Sequence, residues 1–144
     1  MIKGVTLSPQ KIINVEGGNV MHAMKSSDSS FKGFGEAYFS FIQPNTIKAW
    51  KMHRKMTLNL LVPIGKVRFV LISDTNDFHD ISNYHEFILS PKNYSRLTVP
   101  PKIWVGFQGV SSEDSILLNL ADLPHDSDEI DRKTIEDIPF NWSN

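Results

Sequence analysis

The chain contains no cysteine. Disulfide staples and thiolate metal sites are thereby excluded, and a reducing compartment is permitted. No apolar run approaches the roughly 20 residues needed to span a bilayer as a helix. The opening segment MIKGVTLSPQKIINVEGG lacks the apolar core of a secretory signal, so the expected location is the cytoplasm. A charge excess is missing too. The formal net charge is -1, which gives no global pull toward nucleic acid or an anionic membrane, and any anion site has to be local. Internal repeats and low-complexity tracts are absent, and helical periodicity is weak.

What remains is a β pattern. The length of 144 residues suits one domain with a real core. Residues 15–35 carry Gly17, Gly18, Gly33 and Gly35 around the cluster SSDSS. They read as a flexible loop, or as a lid over a site. From Glu36 onward, short strands are expected at 36–43, 57–62, 66–73, 85–89, 96–99, 104–108 and 116–120, punctuated by Pro, Gly and Asn. Pro63 and Gly65 mark a hairpin turn with a left-handed glycine. Only 127–136 suggests a short helical segment. Many short strands at regular spacing predict an all-β antiparallel sandwich or barrel, with a jelly roll among the closed solutions.

The chemistry concentrates in Thr46–Leu71, TIKAWKMHRKMTLNLLVPIGKVRFVL. Residues two apart on a strand share a face, so Lys51, His53 and Lys55 are expected to project together, with Lys48 further back. Ammonium groups around an imidazole disfavour its charged form, which leaves a base near neutral pH. The same cations suit an anionic ligand. Lys48, Arg54 and Lys55 are the candidates for phosphate, Arg54 by its fixed fork of donors. Tyr38, Trp50 and Trp104 are candidates to stack on a base or sugar face, against the commoner fate of core filling. Asn59, on the apolar strand that follows, is added to the substrate-binding set. The bland alternative is a solvated basic edge that discourages strand-to-strand aggregation.

The order of these pieces resembles the dTDP-4-dehydrorhamnose 3,5-epimerase-like family, in particular its short members. The sequence offers an aromatic strand with Tyr38 and Phe39, then IKAWKMH, then PIGKVRFVL. After these come LSPKNYSRLTVPPKIWVGFQG and LLNLADLPHDSDEIDRKTIEDIPFNW. The similarity runs from about Glu36 to Trp142, with VPP…GFQG and the closing IPFNW as its most specific parts. It implies a cupin fold (a double-stranded β-helix, or jelly roll). That fold would form one domain, with an N-terminal arm over 1–35, a core over 36–124 and a C-terminal segment over 125–144. It also implies a homodimer and a substrate that is a nucleotide-linked 4-keto-6-deoxy sugar made for surface polysaccharide.

The departures from the family pattern are specific. Its catalytic strand usually reads R-G-L-H-Y-Q, or G-W-H-x-H in short members. An ungapped match sets Lys48 at the arginine, Lys51 at the first histidine and His53 at the second. The family's acid, a tyrosine after a late strand, would fall within Asn119–Pro124, where no tyrosine stands. A metal held by H-x-H, a Glu and a distant His cannot be assembled, because Lys51 replaces the first His, so neither a metal nor a cofactor is expected.

The expected function is an epimerase or isomerase acting beside the ketone, with His53 as general base and Lys51 or Lys55 as electrostatic helper. Asp137, near where longer members carry the acid that orients the histidine, completes the catalytic set. In PHDSDE, His125, Asp126, Asp128 and Glu129 lie close enough for a base–carboxylate pair, but read better as an exposed acidic turn. The alternatives are a non-catalytic sugar-nucleotide or carbohydrate-binding cupin, and a purely structural role in a polysaccharide assembly complex.

Overall fold

The computed structural model describes residues 1–143. Twelve strands run in chain order. They are β1 (Thr6–Pro9), β2 (Ile12–Ile13), β3 (Val20–Met21), β4 (Glu36–Ile42), β5 (Ile47–His53) and β6 (Leu58–Ile64). Then follow β7 (Val67–Ser73), β8 (Tyr84–Leu89), β9 (Ser95–Val99), β10 (Ile103–Gly109), β11 (Ser115–Ala121) and β12 (Ile130–Arg132). Two five-stranded antiparallel sheets have the orders β1-β9-β6-β11-β4 and β12-β5-β10-β7-β8, and β2 with β3 forms a small ribbon. This is the cupin-type jelly roll.

The strands follow the expected pattern closely because alternation decides which side chains are inside. In β11, Leu117 and Asn119 are buried while Ile116, Leu118 and Leu120 are partly open. In β4, Phe39 and Phe41 are exposed and Ile42 is fully buried. The interior between the sheets is filled by Leu58, Leu60, Phe69, Leu71, Leu97, Val105 and Leu117, among others. Burying each such side chain contributes on the order of 1.5–3 kcal/mol. The β6–β7 turn has Gly65 at φ +84°, where an added Cβ would meet Ser115 Oγ at 2.2 Å. The expected left-handed glycine is therefore required by space as well as by φ.

The C-terminal segment is less helical than its acidic composition suggests. It consists of single 3₁₀ turns at Ser127–Glu129 and Ile135–Asp137, with β12 between them. Pairing of β12 onto the edge of β5 claims the backbone that a helix would have used. Beyond it, Ile138, Phe140 and Trp142 cover the outer face of the second sheet, against Trp50, Met52, Val70, Ile72 and Trp104. The glycine- and serine-rich segment is tied down within the chain. Buried Arg96 binds it to the outer face of the first sheet, donating to Ala23 O (2.7 Å), Asp28 Oδ2 (3.1 Å) and Ser30 Oγ (2.7 Å).

One irregularity shapes the site. Val105 pairs with Lys51 and Phe107 with Lys48, so three steps along β5 oppose two along β10. This is a β-bulge, a device that re-aims side chains. The Ala49–Trp50 peptide within it is cis. Gly106 faces the bulge, and a Cβ there would lie 2.8 Å from the Trp50 ring and 2.9 Å from Ala49 Cβ. Gly106→Ala is expected to push the bulge outward and cost about 1–3 kcal/mol by overpacking. The denaturant midpoint measures this. An unchanged midpoint would mean the bulge yields freely.

Candidate active site

A cavity of about 440 Å³ is lined by strands of both sheets. Its apolar walls come from Leu58, Leu60, Val105, Phe107 and Leu117, and its polar groups from Tyr38, Lys48, Lys51, His53, Asn119 and Arg132. An apolar cleft with a few convergent polar groups is the usual form of a small-molecule site.

His53 closes β5 and is mostly buried, with 11% of its side chain exposed. Its Nδ1 meets Glu129 Oε1 in a very short contact. Glu129 is itself buried, and its second oxygen accepts from the backbone N–H of Lys55 (3.0 Å) and of Met56 (3.3 Å). Burial alone would raise this carboxyl. The hydrogen bond from His53, the two N–H groups and the charge of His53 outweigh burial and hold it below its ordinary value. A carboxylate so fixed selects the tautomer with Nδ1–H, which leaves Nε2 as the ring's basic nitrogen.

The register builds the pair. Ile130 stands opposite His53 in the β12–β5 pairing, so the residue before it arrives beside the imidazole. The same pairing sets Arg132 directly opposite Lys51. Like charges in direct cross-strand register repel. Among the described residues neither makes a salt bridge, and neither does Lys48. Lys51 is held below the ordinary lysine value, first by partial desolvation and then by Arg132 and Lys48. Cations without an acid partner, such as Lys48, Lys51 and Arg132 at one cavity, are unfavourable on their own and favourable around an anion.

The structure brings only some of the expected residues together. Lys48, Lys51, His53, Tyr38 and Trp50 line the cavity. Lys48 joins because the bulge shifts its parity relative to Lys51. Arg54 turns outward and forms a bidentate pair with Asp131 (2.9 and 3.1 Å). Lys55 lies beyond the strand's end and contributes its backbone N–H to Glu129, not its side chain to the cavity. Asn59 faces the outer side of its sheet and accepts from Thr98 Oγ1 at 2.7 Å. Trp50 is buried in the outer cluster, its ring against Trp142 (5.4 Å) and Phe140 (6.4 Å), and so presents no free stacking face. Trp104 lies in the same cluster under the Lys133 ammonium.

Asp137 caps a 3₁₀ turn through Thr134 N (2.7 Å) and is exposed. The carboxylate on the histidine is Glu129. Sequence reasoning grouped Glu129 with exposed acids and passed over Arg132 and Asn119. The flanking Ile130 and the short β-like IDR were the only local signals. Among the described residues, no group of three or more His, Cys, Asp or Glu side chains gathers in a metal-binding arrangement. Also among them, no helix is long and apolar enough to cross a membrane.

No protein-family model matches the chain. A probable low-salt glycan biosynthesis epimerase of Haloferax volcanii is 24% identical over 106 residues. That match takes in 73% of this chain and 66% of the haloarchaeal protein, so the chain spans about two-thirds of that relative's length. The fold is shared with the dTDP-4-dehydrorhamnose 3,5-epimerase of Bacillus anthracis, whose structure holds TDP and PPi. There the identity is 16%, the TM-score 0.80, and the match covers 97% of this chain and 85% of that one. A dTDP-sugar isomerase from Desulfovibrio desulfuricans G20 is 34% identical, with a TM-score of 0.89 over 98% of this chain and 92% of its own. Identity at that level across nearly the whole of both chains, on one shared jelly roll, means that the chain belongs to the dTDP-4-dehydrorhamnose 3,5-epimerase-like family of dTDP-sugar isomerases.

Proposed function

We propose that this protein is a sugar-nucleotide epimerase or isomerase that acts beside the ketone of a nucleotide-linked 4-keto-6-deoxy sugar. The observation that carries the reading is the His53–Glu129 pair, set in the same cavity as the unneutralised cations Lys48, Lys51 and Arg132. A ketone makes the protons on its neighbouring carbons acidic by spreading charge onto oxygen. A base within reach and a cation near that oxygen suffice to form the enolate. His53 Nε2 is the base, and Glu129 fixes its tautomer and balances the charge it gains. Lys48, Lys51 and Arg132 hold the diphosphate, with Lys51 near enough to the base to attend the enolate oxygen. The isomerase and epimerase relatives support this class of reaction. The family resemblance supports surface polysaccharide as the destination of the product.

A homodimer fits the outer surface. Edge strand β4 turns Phe39 (64% exposed) and Phe41 (65%) to solvent, and Phe34 (69%) is exposed as well. A grouping of exposed aromatics on an edge strand is the kind of surface a partner covers.

The test is solvent deuterium exchange. In deuterium oxide the protein is expected to place deuterium on a carbon beside the ketone of a dTDP-4-keto-6-deoxy sugar, well above the buffer rate. Tight binding of the sugar nucleotide with no incorporation would favour a binding cupin instead. The missing tyrosine after β11 is the observation on that side.

A further inference from the structure

Asn119 is out of place for its surroundings. It lies in the middle of β11, is 3% exposed, and shares the cavity wall with Leu58, Leu60 and Leu117. A leucine or valine would fill this position without polar demands. Asn119 instead brings an amide whose Oδ1 is buried and has no hydrogen-bond partner. A buried unpaired carbonyl is costly unless something else comes to meet it.

The other half of the amide is engaged, and the direction of that bond matters. Asn119 stands in register opposite Tyr38 of β4, and its Nδ2 donates to the Tyr38 hydroxyl oxygen at 2.9 Å. The phenol is therefore the acceptor, and its own proton is not spent on Asn119. Among the described residues the Tyr38 hydroxyl makes no other hydrogen bond. Tyr38 belongs to the first sheet and His53 to the second, so the two reach the cavity from opposite walls.

We infer that Tyr38 is the proton donor to the enolate and that Asn119 is its positioning residue. Asn119 holds the phenol oxygen as an acceptor, so that the phenol proton faces the sugar. The Asn119 carbonyl accepts from a ring hydroxyl. This rests on the function proposed above and deepens it. The donor comes from edge strand β4, whereas the resemblance implies a tyrosine after β11. His53 Nε2 takes the proton from the carbon beside the ketone, leaving an enolate and an imidazolium. The Tyr38 O–H bond then breaks, and its proton joins the same carbon from the opposite face. The phenolate left behind keeps the Asn119 N–H bond. A proton passes from imidazolium to phenolate through solvent and restores both groups. The net change is inversion at one carbon, with no oxidant or reductant. A donor on the wall opposite the base favours inversion over same-face transfer to the neighbouring carbon.

The test compares two readouts in deuterium oxide with a dTDP-4-keto-6-deoxy sugar: label in recovered substrate, and inverted product. In Tyr38→Phe, His53 still removes the proton and returns deuterium to the same face. Label in recovered substrate is expected to persist within about threefold, while inversion falls about 10²-fold or more. Asn119→Asp replaces the donor with an acceptor that captures the phenol proton. Inversion should fall there too, with labelling retained. Asn119→Leu removes both contacts, lowering kcat for inversion and raising KM as the hydroxyl contact is lost.

A merely structural role would lower labelling and inversion in parallel, and that result in the folded variants overturns the inference. Inversion by Tyr38→Phe at the wild-type rate overturns it as well. If the unaltered protein neither labels nor inverts the sugar, the functional proposal itself fails, which is a distinct outcome.

Discussion

His53→Asn is expected to abolish deuterium incorporation and turnover, with a loss of about 10²–10⁴-fold, the range general acid–base catalysis commonly supplies. The variant is chosen because asparagine retains an amide near the Nδ1 position, able to donate to Glu129. The buried carboxylate is then still met by a donor, and the N–H groups of Lys55 and Met56 keep their acceptor. Folding and dTDP binding should therefore survive, so that the loss reports on chemistry. Glu129→Gln tests the second member. Its single amide oxygen can meet either the ring Nδ1–H or the N–H groups of Lys55 and Met56, not both, and the negative charge that balances an imidazolium is gone, so a fall in kcat of about 10–100-fold is expected, as for other outer partners of an active histidine.

The same carboxylate gives a pH signature. Its value in the folded protein lies below the ordinary one. Its contribution to stability is therefore fully present above the ordinary carboxyl value and is lost as pH falls through the lowered one. The melting temperature of the wild type should fall more steeply over that acid window than that of Glu129→Gln. Full turnover by His53→Asn, with deuterium still entering the sugar, would remove His53 from the mechanism.

Lys51→Met and Arg132→Met are expected to weaken dTDP binding by about 10–100-fold each, the scale of a charge-assisted hydrogen bond. The substitutions should leave the ligand-free protein as stable as before, or more so. The strand register is the cause. Lys51 and Arg132 stand directly opposite on paired strands with no acid between them, an arrangement that costs stability until an anion arrives. Ligand binding stabilises the fold in proportion to RT ln(1 + [L]/Kd), so the dTDP-induced rise in melting temperature should shrink as the ligand-free value holds or climbs.

For Lys51 the sign runs opposite to that of a paired lysine. Its folded value is depressed by partial desolvation and by Arg132 and Lys48. The ligand-free protein therefore gains stability as pH rises from that lowered value toward the ordinary one. Over the same interval dTDP affinity falls, because the ammonium that greets the diphosphate is lost. Binding near that pH should take up protons, which calorimetry in buffers of different ionisation enthalpy detects. Unchanged affinity in both variants would return these residues to the status of a solvated basic edge.

The sequence by itself determined the strands and the neighbourhood of the site. Alternation in Lys66–Ser73 and 116–120, with turn residues between, is local information, because period-2 burial is written residue by residue along a strand. IKAWKMH likewise announced a histidine among cations. Three things lay outside its reach. The bulge opposite Gly106 brings Lys48 and Lys51 to one cavity although they are three apart, and strict alternation would have separated them. The end of β5 at His53 removes Arg54 and Lys55 from the cavity. The pairing of β12 with β5 carries Glu129 and Arg132, more than 70 residues along the chain, to His53 and Lys51. Hydrophobic periodicity specifies which face of a strand is buried. It does not specify which strand lies alongside, and only that pairing decided which acid meets the imidazole, which cation meets Lys51, and that an amide and a phenol share the opposite wall.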